Sequence, residues 1–81
     1  MAVTTAAVVL TASSWTLVGA GPLTLSADGG NIVYSVDVSP PAIGAPGYPL
    51  RVVDGPRYIN LASNVYAVPG ALNGGNALVS V

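Results

Sequence analysis

The side chains able to carry charge or move a proton are few: Asp28, Asp37 and Asp54, Arg51 and Arg57, and the tyrosines Tyr34, Tyr48, Tyr58 and Tyr66. His, Cys, Glu and Lys are absent. General acid–base catalysis needs a group that titrates near the working pH. Paired aspartates can serve an acid protease or a glycosidase, but nothing in the spacing of these three suggests a pair. Asp28 and Asp54 lie in turns, where Asp is favoured for backbone reasons, and Asp37 ends a strand on its polar face. The expectation is a protein that is not an enzyme and has no catalytic residue.

A metal centre is not expected either, since imidazole and thiolate ligands are lacking and only three carboxylates remain. Nor is a cofactor. Gly19-Ala20-Gly21 lacks the third glycine of a dinucleotide loop, and Gly74-Gly75 lacks the lysine of a phosphate loop; no helix follows either one. Both read as turns. Arg51 and Arg57 flank the Asp54 turn. They form a local ion pair or stand solvated, contributing little, or they bridge to a carboxylate on a neighbouring subunit. Tyrosine is suited to interfaces. Tyr34 alternates with aliphatics and is expected inside, while Tyr48, in a proline-rich loop, is the better interface residue.

These side chains have to be placed by strands. The stretch 22–38 reads as two strands joined by Asp28-Gly29-Gly30. Ile32, Tyr34, Val36 and Val38 alternate against Asn31, Val33, Ser35 and Asp37, the period of a half-buried strand. Leu23, Leu25 and Ala27 alternate against Thr24 and Ser26. The two glycines suggest a tight hairpin. Residues 2–12 are rich in β-branched residues and Ala, with both faces apolar or small. They form an arm that pairs with a neighbouring chain, or an ordinary strand of their own domain. Residues 15–19 form another strand, in which Trp15 is expected to anchor the core or else an interface.

Residues 39–49 hold four prolines and two glycines, which forbid a helix or a central strand. This is a stiff loop of functional length that carries Ile43 and Tyr48 either back to the core or onto a partner. Short strands follow at 50–53, 57–61, 65–68 and 77–81, separated by Asp54-Gly55-Pro56, Ala62-Ser63-Asn64, Pro69-Gly70 and Asn73 to Asn76. About eight strands with such punctuation predict an all-β fold, a small antiparallel sandwich or barrel without a regular helix. The expected organisation is an arm or first strand over 1–12 and one β domain over 13–81.

Composition bounds the rest. Charged residues make up 6% of the chain, against about 25% in an ordinary domain. A monomer of this mass would expose about 4,500 Å² and have a marginal core. Small domains commonly rely on disulfides, a metal or oligomerisation, and only the last remains here. A subunit of an assembly is therefore expected; the alternative is a soluble monomer coated with Ser, Thr, Asn and Gly. The net charge is −1 with no basic cluster, so nucleic-acid binding is disfavoured. No apolar run approaches the length of a membrane helix. The N-terminus lacks the basic start of a signal peptide, and eight membrane-spanning strands would not fit the length.

Four pieces then resemble a known group: Ser14 to Leu25, Gly47-Tyr48-Pro49-Leu50-Arg51, Tyr58-Ile59-Asn60-Leu61 through Val65-Tyr66-Ala67, and the closing Gly74 to Val81. Over most of 14–81 the layout resembles small all-β structural proteins of tailed bacteriophages, which decorate or cement heads or serve as fibre or tail parts. The resemblance implies a virion component made in the host cytoplasm, without catalytic residues. Its leading form is a capsid decoration or cement subunit, held to copies of itself and to the major capsid protein or another virion protein. Its alternatives are a tail, head–tail junction or fibre-base part. A small carbohydrate- or surface-binding module is a further alternative, and it predicts an exposed platform of Trp15 and Tyr66. Candidate interface residues are Val3, Val8, Leu10, Ile43, Tyr48, Arg51, Arg57 and Tyr66, and the candidate core anchors are Trp15 and Tyr34.

Overall fold

The computed structural model describes residues 5–42, 44–70 and 74–80. Among them, eight strands form two four-stranded antiparallel sheets. The strands are β1 (Thr5–Val8), β2 (Thr16–Ala20), β3 (Leu23–Asp28), β4 (Ile32–Asp37), β5 (Tyr48–Leu50), β6 (Arg57–Ile59), β7 (Asn64–Pro69) and β8 (Asn76–Ser80). One sheet runs β1-β8-β3-β6 and the other β2-β7-β4-β5. The shortest dimension, 18 Å, fits two sheets packed face to face about 10 Å apart with their outer side chains. This is the sandwich of the expected pair, not a closed barrel.

The core lies between the sheets. Leu23 and Leu25 come from β3, Ile32 and Tyr34 from β4, Leu50 from β5, Ile59 from β6, Val65 and Ala67 from β7, and Ala77 and Val79 from β8. Each pair is two residues apart in its strand, because successive side chains point to opposite faces. Leu25, Leu50 and Val65 are fully buried.

The expected hairpin over 22–38 is corrected. Both strands exist, but they lie in different sheets. β3 pairs with β8 over five positions, and β4 pairs with β7 over six. The turn therefore carries the chain across the core, with Gly29 at φ +75°. Leu23 and Leu25 share the core with Ile32 and Tyr34 but come from the other sheet. Among the described residues, β4 and β5 are the consecutive strands that pair, with Ile32 opposite Leu50 and Tyr34 opposite Tyr48. The Pro-rich loop is thus the connection of a hairpin. It ends earlier than expected, since Tyr48 and Pro49 already belong to β5. Val52 and Val53, expected within a strand, instead form a single 3-10 turn with Asp54.

Asn31 joins the crossings. Its carbonyl accepts from the Gly70 amide at 2.8 Å and the Gly75 amide at 3.1 Å. Its side-chain Oδ1 accepts from the Val52 amide at 3.3 Å. A Cβ added at Gly75 would lie 2.5 Å from the Asp28 carbonyl oxygen and from two Gly30 backbone atoms, so the β7–β8 crossing tolerates no side chain there.

The first strand is also corrected in part. The apolar or small character of both faces over 2–12 suggests burial on both sides, yet β1 is an edge strand with Ala6 and Ala7 exposed. It pairs with β8 of its own chain, Ala6 opposite Val79 and Ala7 opposite Leu78. Val3 lies outside the described residues, as does Ile43.

Candidate functional site

The residues singled out from the sequence do not gather in one place. Leu10 is buried in the inter-sheet core, and its amide donates to Asn76 Oδ1 at 3.2 Å. It packs within its own chain, although the sequence marks it as a candidate for an interface. Val8 packs half-buried against the same cluster. Tyr66 is buried as well, its hydroxyl accepting from Asn64 Nδ2 at 3.4 Å. It sits on the outer face of β7, because its neighbours Val65 and Ala67 point into the core.

Trp15 is buried, as expected, but outside the inter-sheet cluster. It shares a hollow with Val33, Val68, Gly44 and Ala45. Val33 and Val68 are register partners on the outer face of the second sheet. The indole Nε1 donates to the Ala42 carbonyl at 3.1 Å. Trp15 therefore holds the Pro-rich loop over the outside of its sheet. The loop also depends on Gly47, where a Cβ would stand 2.7 Å from the Tyr34 carbonyl oxygen and 3.0 Å from the indole. With Trp15 and Tyr66 both buried, the aromatic platform expected of them does not exist.

A different aromatic group forms at the opposite edge of the loop hairpin. Tyr34, Val36, Tyr48, Tyr58, Ile59, Asn60 and Leu61 line an open cleft of about 340 Å³. Its walls are β4 and β5 from one sheet and β6 with the following residues from the other. Tyr34 is buried and belongs to the core cluster. Its ring lies 5.5 Å from that of Tyr48, tilted by 35°, within the usual separation of paired aromatic rings. Tyr48 is 61% exposed and Tyr58 64%. The Arg57 guanidinium donates to the Tyr34 hydroxyl at 3.4 Å, reaching from one sheet to the other. That contact raises the pKa of Arg57 above its ordinary value. Sequence reasoning found Tyr34, Tyr48 and Arg57 but missed Tyr58, Asn60 and Leu61. Alternation along 57–61 assigns faces; it does not tell that β6 ends a sheet beside β5.

Arg51 forms the local pair. Its Nη2 lies 3.1 Å from Asp54 Oδ1, and its backbone amide donates to Asp54 Oδ2 at 2.9 Å. The Arg51 side chain, then its backbone amide, holds the Asp54 carboxyl below the usual carboxylate range. Arg51 is thus engaged within the turn it flanks. Among the described residues no group of three acidic side chains is placed to hold a metal, and no helix is long and apolar enough to cross a membrane.

No family model, no curated protein and no solved structure matches this chain. Its physical organisation must therefore carry the functional reading.

Proposed function

We propose that the protein is a structural subunit of a larger assembly, held by copies of itself and by a second protein. One observation carries this reading. Eight large apolar side chains among the described residues are exposed, while five charged side chains serve a surface of 4731 Å². Tyr48, Tyr58 and Leu61 belong to the cleft; Val9, Leu17, Val38, Val52 and Val53 lie outside it. A domain that lives alone in water generally carries far more charge, and exposed apolar surface of this kind suits a covered face.

The sheet edges support self-association. Three of the four carry features that discourage pairing. β2 has a bulge between Leu17 and Gly19. β5 is three residues long and contains Pro49. β6 is equally short, with Pro56 before it and Arg57 in it. β1 has none of these, being uncharged and free of proline. It is the edge on which a second copy would add antiparallel, using main-chain hydrogen bonds.

For the form of assembly we propose a head decoration or cement subunit of a tailed phage, the group that the layout of most of 14–81 resembles. Such a subunit binds the assembled shell better than the loose protein, and so stabilises the shell by mass action. The test mixes purified protein with shells that lack it. Binding and greater heat resistance of the shell are expected; neither effect at saturating protein would reject the decoration role. Lys at Ala6 and Ala7 should raise the monomer fraction without unfolding the domain.

A further inference from the structure

We infer that the cleft between β5 and β6 binds a saccharide, through the faces of Tyr48 and Tyr58 and the polar atoms of Tyr34 and Asn60. The inference needs this cleft open, so the assembly reading then rests on the five exposed apolar side chains outside it, Val9, Leu17, Val38, Val52 and Val53.

The first argument is the lining. Three of the chain's four tyrosines meet at this one cleft. A pyranose ring has an apolar face of C–H groups and a rim of hydroxyls. A tyrosine ring offers the complement, an apolar body with a polar tip. Leu61 and Val36 extend the apolar wall, and Asn60 adds both a donor and an acceptor. The volume, about 340 Å³, lies at the small end of ordinary ligand sites, about 300–1,000 Å³.

The second argument is preorganisation. Tyr34 is held by the core, by the Tyr48 ring and by Arg57. Because its hydroxyl oxygen accepts from Arg57, its own proton remains to be donated to a ligand oxygen. Groups fixed before binding lose little freedom on binding.

The third argument is what the cleft would refuse. Neither arginine is among its lining residues: Arg57 reaches it only through the Tyr34 hydroxyl, and Arg51 is engaged by Asp54, so a polyphosphate finds one guanidinium at most, at the rim. An extended peptide adding to the sheet meets two three-residue edges, one interrupted by Pro49 and one preceded by Pro56. A neutral, hydroxyl-rich ring suits the lining better than either. A uronate-bearing sugar suits it equally, with its carboxylate toward Arg57.

The test is an amide NMR titration of the full chain with neutral and uronate-containing oligosaccharides at millimolar concentration, alongside a proline-rich peptide. The expected result is saccharide-dependent shifts confined to residues 34, 48 and 57–61. Tyr48→Ala and Tyr58→Ala should each weaken binding at least about tenfold, a loss of 1.4 kcal/mol. Arg57→Gln should weaken the uronate sugars more than the neutral ones. Saturation transfer from the Tyr48 and Tyr58 ring protons to sugar C–H protons in the unaltered protein gives a readout that needs no variant. Silence across the panel overturns the inference. So do shifts that centre on Trp15, binding that survives both tyrosine substitutions, or capture of the peptide in place of a sugar.

Discussion

The Trp15 indole donates to the Ala42 carbonyl at 3.1 Å, across 27 positions of sequence. Through that contact the Pro-rich loop lies against the outer face of the β2-β7-β4-β5 sheet, and the hairpin it closes delivers Tyr48 to the cleft. Trp15→Ala should destabilise the fold by about 3–5 kcal/mol, the usual range for a buried large aromatic. Trp15→Phe keeps much of the packing and removes the donor, so its cost should be nearer 1 kcal/mol. Urea denaturation measures both. Faster hydrogen exchange at the Ala45 amide, which donates to the same carbonyl, would place the loss in the loop.

Leu25 is fully buried between the sheets. Leu25→Ala should cost about 2–5 kcal/mol, the range for a cavity left by a core leucine. For so small a domain that is a large part of total stability. A chain that kept its thermal midpoint after this change would contradict the sandwich core.

Gly75→Ala and Gly29→Ala separate two causes. The added Cβ at Gly75 meets backbone of the facing turn, so overpacking of about 1–3 kcal/mol is expected. At Gly29 there is open space but φ is +75°, so the cost should be about 1 kcal/mol, from conformation alone. A Gly75→Ala change with no measurable cost would contradict the crossing described for β3–β4 and β7–β8.

Asp54 gives the pH dependence a sign. Its carboxyl is held below the ordinary value of 3.8 by the Arg51 side chain and backbone amide. A carboxyl with a depressed folded pKa adds stability above its unfolded value, and that stability is lost as pH falls through the folded one. The loss therefore begins near 3.8 and continues below it. Thermal midpoints followed from about pH 5 downward should fall less steeply for Asp54→Asn than for the unaltered chain. Identical slopes would contradict the Arg51–Asp54 pairing in solution.

Much of this architecture is legible in local pattern. Alternation in Leu23-Thr24-Leu25 and in Ile32-Val33-Tyr34 marks both strands and their buried faces. It does not name their partners, because a strand facing another across a core shows the same period as one lying beside it. Pro49 suggests loop, yet it is compatible with β5 because that strand is an edge, where a missing N–H costs nothing in the ladder. Tyr66 carries no local sign of burial, since it alternates with core residues on the face that would ordinarily meet water. The cleft is the least legible part. It depends on β5 and β6 ending different sheets, which is set by their pairing with β4 and β3 and not by any pattern within 48–61.

The central claim is that a surface so poor in charge is covered by neighbours. Light scattering of the purified full chain across a dilution series tests it most directly. The account predicts a mass that is a multiple of 8.0 kDa, falling toward the protomer only on dilution or when Lys replaces Ala6 and Ala7. A highly soluble species that holds the protomer mass at every concentration, and binds no shell, would contradict it.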